Sequence, residues 1–222
     1  VLAGDLAFVW ADELLDSTAL PAAALDRARR VFTELRTEVM AGQYLDLVLA
    51  AAREADEAAA RKVALLKSAR YTVTRPLELG AALAPAADPA TLAALRAYGD
   101  AVGLAFQLRD DVLGLFGDPT CTGKGTLDDL REGKRTMLAL RALRLADPAQ
   151  RVVLGAALGD PTLDEERAEE VRAIVRRTGA LASIELLVRQ QADAAMVAVE
   201  HLREPARSAL VELATTATDR LR

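Results

Sequence analysis

The chain has 222 residues, a formal net charge of −5 and a composition that is 52% hydrophobic but only 4% aromatic. The acidic balance argues against general nucleic-acid binding, and no run approaches the roughly 20 apolar residues of a membrane-spanning helix. A single histidine disfavours histidine-based metal sites and Ser-His triads. A single cysteine excludes an internal disulfide and fits a reducing cytoplasm, where we expect the protein to be located.

Helical periodicity begins at the first residues and continues through the first third of the chain. Gly4 to Leu15 is predicted to be one helix, and a second runs from Pro21 to about Arg53. Asp56 is predicted to begin a third helix. Pro76 is expected to interrupt it, with a new helical run from Leu77 to Ala84, because proline lacks the N–H that a helix interior needs.

The rest of the chain continues the helical pattern. Asp88 followed by Pro89 predicts an N-cap and a first helical residue for a long helix that ends near Phe116. Further helices are predicted at 137–146, from Thr162 onward, at 183–202 and after Pro205. No segment alternates as a strand does, and no repeat or linker divides the chain. The sequence therefore predicts an all-α protein with a single domain over residues 1–222.

An acid pair, Asp110 and Asp111, lies near the end of that long helix in apolar surroundings. Gln107 precedes the pair by three and four residues and so shares its side of the helix. Mg²⁺ in proteins is commonly held by one or two carboxylates together with substrate phosphates, which this pair fits. The plainer alternative is an acidic helix end that forms salt bridges, for instance with Arg109. Beyond Gly117, glycines predict a loop that leads to several basic residues.

Other polar groups also lie between apolar residues, each on a separate predicted helix or in the loop. They are Gln43 with Asp46, Lys67 with Arg70, and Lys124 with Lys134. Each one alone fits an ordinary solvated helix surface. Their recurrence predicts that they converge on one cavity, where lysine and arginine side chains can donate charge-assisted hydrogen bonds to a diphosphate.

Five blocks of the sequence resemble the trans-type polyprenyl (isoprenyl) diphosphate synthases, in order and approximate spacing. They are residues 42–46, 67–68, 106–111, 123–124 and 128–135. The chain looks like a bacterial member of the farnesyl or geranylgeranyl diphosphate synthase kind. The resemblance implies an isoprenoid-synthase-type helical bundle around a central cavity, usually as a homodimer. It also implies two substrates, an allylic diphosphate and isopentenyl diphosphate, and Mg²⁺ as the cofactor.

The resemblance implies a role for each matching residue. Asp110 and Asp111 would hold Mg²⁺ as the second of two aspartate-rich motifs. Lys67, Gln107 and Lys124 would be the catalytic residues. The substrate-binding set would comprise Gln43, Asp46, Lys67, Ser68, Gln107, Lys124 and Lys134. Ser68 stands where the family usually has threonine, which keeps the hydroxyl group.

Two departures from the family pattern affect the expected activity. Gly114 stands where the second motif usually ends in an aspartate, and no DDxxD motif occurs before Gly42. The chain therefore resembles a family member that lacks its N-terminal portion, and the alternatives are a fragment, a misplaced start or a genuinely short protein.

The expected reaction is a Mg²⁺-dependent ionisation of the allylic diphosphate and its condensation with isopentenyl diphosphate to give a longer isoprenyl diphosphate. The 222 residues alone are expected to be weakly active or inactive. One alternative is a non-catalytic or regulatory subunit of a hetero-oligomeric prenyl synthase. A class I terpene cyclase is less favoured, because its Asn/Asp-x-x-Ser-x-x-x-Glu metal motif is not found.

Overall fold

The structure is a computed structural model that describes residues 1–51, 56–84, 88–117 and 127–218. Helices of the first half are α1 (Leu2–Asp16), α2 (Ala22–Ala51), α3 (Glu57–Val63), α4 (Arg75–Leu83) and α5 (Pro89–Phe116). Those of the second half are α6 (Asp128–Arg131), α7 (Met137–Leu145), α8 (Pro148–Ala157), α9 (Glu165–Arg177), α10 (Ala180–Val199) and α11 (Ala206–Thr218). Within these ranges there is no strand, which confirms the all-α prediction.

Side-chain caps fix several helix starts. The Asp88 carboxylate accepts a hydrogen bond from the Thr91 backbone N–H at 2.9 Å, as predicted for the start of α5. The expected start at Thr162 is wrong, because Asp160 holds Thr162 in a turn by accepting its backbone N–H at 2.8 Å. Asp164 caps α9 instead, and the helix begins at Glu165.

The predicted break at Pro76 does not occur. A π-helical segment, Ala64–Thr74, follows α3 directly and leads without interruption into α4. Pro76 is the second residue of α4, a position near a helix start where proline is tolerated. The π-helical turns before Pro76 change the hydrogen-bond register, so the chain accommodates the proline within one continuous helical segment.

Helix α5 is the centre of the fold and packs most extensively against α10 and the π-helical segment. Its buried residues belong to two hydrophobic clusters. The larger cluster includes Leu104 and Leu108 and joins α5 to α7, α9 and α10. The second is built around Tyr98, whose hydroxyl donates to the Leu210 carbonyl at 2.6 Å and ties α11 to α5. The described helices include none with the length and apolar character needed to span a membrane.

Three glycines let neighbouring helices approach the π-helical segment at backbone contact. A Cβ at Gly42 would lie 2.5 Å from the backbone nitrogen of Lys67. A Cβ at Gly103 would lie 2.5 Å from the Ala69 Cα, and one at Gly99 would lie 2.5 Å from the Thr74 Cα. Real side chains do not tolerate such distances, so only glycine fits at these positions.

We predict that Gly103→Ala destabilises the protein. The added methyl group gains about 1 kcal/mol of helix propensity, but forced separation of the two helices typically costs about 1–3 kcal/mol. The control is Gly155→Ala, since nothing lies within 4 Å of a Cβ at that helical position. Urea unfolding should show a loss for the first variant and no loss for the second. Equal stability of the two variants would contradict the contact.

Candidate active site

Each of two glycine contacts lies one helical turn before a polar side chain that meets the π-helical segment. Gly42 is followed by Asp46, whose carboxylate pairs with the Lys67 amine at 2.5 Å. Both side chains are about one-third exposed, 35% for Asp46 and 38% for Lys67. The backbone contact thus places a paired cation where a ligand can reach it.

The second contact leads to a chain of hydrogen bonds that joins the π-helical segment to the acid pair. Gly103 is followed one turn later by Gln107. The side-chain oxygen of Gln107 accepts a hydrogen bond from the Ser68 hydroxyl at 2.5 Å. The side-chain nitrogen of Gln107 donates to the Asp111 carboxylate at 2.9 Å. Gln107 is therefore oriented at both ends, and its bond to Asp111 is consistent with the helix side that these two residues share.

The two acids differ in their surroundings. Asp110 is exposed, whereas Asp111 is half-buried. Desolvation raises the pKa of Asp111 to about 7, and the charges of Asp129 and Asp110 add to the rise, against the opposing effects of the Gln107 bond and Lys134. A cation bound at this carboxylate would offset the cost of ionising it.

A third acid reaches the same region from α6. Asp129 lines a cavity of about 20 Å³ together with Asp111, Gly114 and Lys134. Its carboxylate pairs with the Lys134 amine at 2.5 Å, and Glu132 lies 3.2 Å from the same amine. Partial burial alone would lower the pKa of Lys134, but the bonds to these two acids raise it. The amine is therefore charged and already paired.

The acids fit a shared metal site but not a closed one. Within the described ranges, no three histidine, cysteine or acidic side chains are grouped so that they could hold a metal ion by themselves. Mg²⁺ needs only one or two carboxylates when substrate phosphates and water complete its octahedron. Asp110 and Asp111, neighbours in the chain, are the residues that would hold the ion.

The structure brings some of the predicted site residues together but not all of them. Asp46, Lys67, Ser68, Gln107 and Asp111 form the arrangement described above, and Asp110 is an exposed neighbour of Asp111 in the chain. Gln43 is on the exposed side of α2, and Lys124 lies outside the described residues. The roles assigned to all of these residues stay predictions.

Two features of the region were not found in the sequence. Sequence reasoning assigns Asp129 no role of its own, although it lies with Asp128 and Lys134 in one of the blocks that carry the resemblance. Arg70, a candidate for diphosphate binding, is paired with Glu38 at 2.8 Å and with Asp100 at 3.2 Å. Those partners come from α2 and α5, so only the tertiary structure reveals that this guanidinium is engaged.

Comparison with known proteins gives a consistent result. The family model described as Polyprenyl synthetase matches residues 1–175. The geranylgeranyl diphosphate synthase of Sulfolobus acidocaldarius is 30% identical over 184 residues, which are 80% of this chain and 54% of that protein. The (2E,6E)-farnesyl diphosphate synthase of Mycobacterium tuberculosis is 36% identical over 137 residues, 62% of this chain and 37% of that protein.

A solved structure gives the same answer at the level of the fold. The geranylgeranyl pyrophosphate synthase of Corynebacterium glutamicum, crystallised with isoprenyl diphosphate and magnesium, superposes with a TM-score of 0.93 at 39% identity. The match covers 99% of this chain and 62% of that chain. The matched part of the chain thus spans between 37% and 62% of the length of these relatives.

We predict that Asp111→Asn changes the pH dependence of stability in metal-free protein. The raised pKa, about 7 against an ordinary value of 3.8, means that the native state retains a proton that the unfolded chain releases. The wild type therefore loses stability as pH rises from 3.8 toward 7, and the asparagine variant lacks this loss.

Urea unfolding in a chelator at pH 4.5 and pH 8 measures this difference. The variant should gain on the wild type by more than about 1 kcal/mol between the two pH values, since one pKa unit corresponds to ~1.4 kcal/mol. Asp193→Asn, at an exposed position of α10, is the control and should show no such gain. Parallel pH profiles for Asp111→Asn and the wild type would contradict the burial of this charge.

Proposed function

The chain belongs to the polyprenyl synthetase family, and we propose that it is a trans-prenyltransferase that condenses isopentenyl diphosphate with an allylic diphosphate. The product is a longer isoprenyl diphosphate. The observation that carries this proposal is the connected arrangement of one cation, one hydroxyl, one amide and two acids across α2, the π-helical segment and α5. The chain spans only part of its relatives, so the activity of the whole protein is part of the proposal.

The residues at this arrangement suit the binding of a metal and a diphosphate. Asp110 and Asp111 would hold Mg²⁺, and the bound ion would supply stabilisation of the negative charge on the departing diphosphate. Lys67 would contribute a charge-assisted bond to a diphosphate oxygen, with Lys134 and Lys124 as further cations. Asp46 holds Lys67 in place until the ligand arrives.

Gln107 has a positioning role in this proposal. Its bond to Ser68 fixes the amide, and its amide nitrogen in turn orients the Asp111 carboxylate. Apolar residues, among them Leu115, Leu130 and Leu138, border the acids. Such surroundings reduce access of water, which would otherwise capture the carbocation left after ionisation.

Assembly and location are further proposals. Helix α1 has no buried residue, and Leu6, Val9 and Trp10 on it are exposed. We propose that a second copy of the chain covers this apolar surface in a homodimer, which light scattering at several protein concentrations would test. We also propose a cytoplasmic location, which fractionation of cells would test.

A coupled assay with Mg²⁺, isopentenyl diphosphate and allylic diphosphates tests the reaction. Because the first aspartate-rich motif does not occur in these 222 residues, we expect only weak formation of longer diphosphates by this chain alone. Mass analysis of the product distinguishes chain elongation from cyclisation to a diphosphate-free hydrocarbon. An increase in the turnover of a complete synthase on mixing, with no product from the chain alone, would favour the non-catalytic subunit.

We predict that Lys67→Ala weakens binding of inorganic pyrophosphate in the presence of Mg²⁺. A charge-assisted hydrogen bond is worth about 1.5–3 kcal/mol, so affinity should fall by about 10- to 100-fold. The matched control is Lys62→Ala, because Lys62 is exposed on α3 one turn earlier. Titration calorimetry should show the loss only for Lys67→Ala. Equal affinities for the two variants would remove Lys67 from the diphosphate site.

A further inference from the structure

A buried arginine contacts the helix that carries the acid pair, and the proposed function does not use it. The Arg172 side chain on α9 is only 9% exposed. Its Nε atom donates to the backbone carbonyl of Leu115 at 2.7 Å. Its Nη1 atom donates to Glu165 at 2.5 Å and to Glu169 at 3.2 Å. Both acids are largely exposed, so these two bonds lie near the surface, whereas the bond to Leu115 is buried.

The Leu115 carbonyl is one of the groups that a helix end leaves without a partner in the helix. Helix α5 ends at Phe116, and the last four carbonyls of a helix have no helical N–H to accept from. The backbone N–H of Gly117 satisfies the Leu113 carbonyl at 2.9 Å, and Arg172 satisfies that of Leu115. A positive charge is also favourable at this end, where the carbonyl groups carry partial negative charge. Arg172 therefore closes the last turn of α5 from another helix.

A second arginine of α9 contacts the next residue of the same turn. The Arg176 guanidinium lies 5.0 Å from the centre of the Phe116 ring, a distance at which a cation is attracted to an aromatic face. Arg172 and Arg176 are four residues apart and so lie on the same side of α9. The body of α9 packs chiefly against α7, α8 and α10. It thus reaches the end of α5 with two long side chains.

The turn that these arginines hold is continuous with the turn that carries the acid pair. Asp111 lies four residues before Leu115, and in an α-helix the N–H of Leu115 donates to the carbonyl of Asp111. The Asp111 carboxylate is held from the preceding turn by Gln107. Local opening of the helix end would break the backbone bond and let Asp111 move away from Gln107.

We propose that Arg172 is a positioning residue, which keeps the last turn of α5 closed and so fixes the Asp111 carboxylate for the bound cation. This inference rests on the proposed function and adds to it a residue that acts through the backbone of α5. A ligand that needs the closed turn binds in proportion to the fraction of molecules in which the turn is closed. By reciprocity, that ligand also stabilises the closed turn.

Two substitutions of similar length separate the bond to Leu115 from the rest of the Arg172 side chain. Arg172→Gln places an amide nitrogen where the Nε atom is, since both atoms are bonded to Cδ, and so keeps a donor for the Leu115 carbonyl. Arg172→Met places a methyl group there, which donates nothing. Both variants remove the charge and the bonds to the exposed acids. A difference between them therefore reports on the bond to the helix end.

Affinity for inorganic pyrophosphate in the presence of Mg²⁺, measured by calorimetry, is the first readout. Arg172→Met should bind about three- to tenfold more weakly than the wild type, because its turn is open in part of the molecules. Arg172→Gln should stay within about twofold of the wild type, because it keeps the hydrogen bond that closes the turn.

Hydrogen exchange followed by mass spectrometry is the second readout. In Arg172→Met, residues 106–117 should exchange faster than in the wild type, while residues 94–105 of the same helix stay unchanged. Saturating pyrophosphate with Mg²⁺ should slow the exchange of residues 106–117 again. A helix end that is not coupled to the site would exchange at the same rate with and without this ligand.

Tyr98→Phe is the matched control on the same helix. It also removes one side-chain hydrogen bond to a buried backbone carbonyl, that of Leu210. Tyr98 lies about 20 Å along α5 from Asp111, since each helical residue adds 1.5 Å. Thermal unfolding should show a loss of stability, while the affinity for pyrophosphate with Mg²⁺ stays within about twofold of the wild type, as expected for independent sites.

Arg176→Ala tests the same turn should Arg172→Met fail to fold, as circular dichroism would show. Arg176 is 51% exposed, so the substitution leaves the core intact. Loss of the contact with Phe116 should speed the exchange of residues 106–117 by about two- to fivefold. An unchanged exchange rate in this variant would contradict the hold of α9 on α5.

The results that would overturn the inference differ in reach. If Arg172→Met binds as the wild type does, or if Arg172→Gln loses as much affinity as Arg172→Met, the bond to Leu115 positions nothing. If Tyr98→Phe loses as much affinity, the effect is one of general stability. In each of these cases the proposed function stands. If the wild-type chain does not bind pyrophosphate with Mg²⁺, the proposed function fails and the positioning role fails with it.

Discussion

The approach of α2 and α5 to the π-helical segment at backbone contact is the constraint on which the rest of this structure depends. Gly42 and Gly103 are two of the positions where no side chain fits, and each lies four residues before a polar side chain of the candidate site. The helical repeat then places Asp46 beside Lys67 and Gln107 beside Ser68. The close helix packing at the glycines is therefore what brings the polar side chains together. A wider spacing between the helices would separate both the Asp46–Lys67 pair and the Gln107–Ser68 pair.

The charges in the candidate site are compensated in pairs that leave them accessible. Lys67 is bound to Asp46, and Lys134 to Asp129, yet each of these side chains is about one-third to one-half exposed. Exposed ion pairs are typically worth less than about 1 kcal/mol, so a multiply charged ligand can replace one partner at low cost. The lysines are thus held in position while their side chains stay partly exposed.

Much of the fold follows from the sequence, and the site follows only in part. The cap at Asp88 and the apolar period of α5 are local signals, so they were readable without tertiary information. The continuous passage through Pro76 was not readable, because it depends on a π-helical register that the packing of Gly99 and Gly103 supports. Likewise the cavity that Asp129 and Gly114 line together joins two separate elements of the chain.

A second cluster of charged residues, around Arg75, has a purely structural arrangement of ion pairs. Arg75 is only 9% exposed and binds Glu34, Glu38 and Glu78, and the hydrogen bonds from its guanidinium to Glu38, with the nearby acidic charges, raise its pKa well above the ordinary value. Arg70 joins the same cluster through Glu38. Breaking such a buried network leaves charges unpaired and is strongly destabilising. By contrast, the side chains of Lys67 and Lys134 are more exposed than that of Arg75, and each has fewer acidic partners.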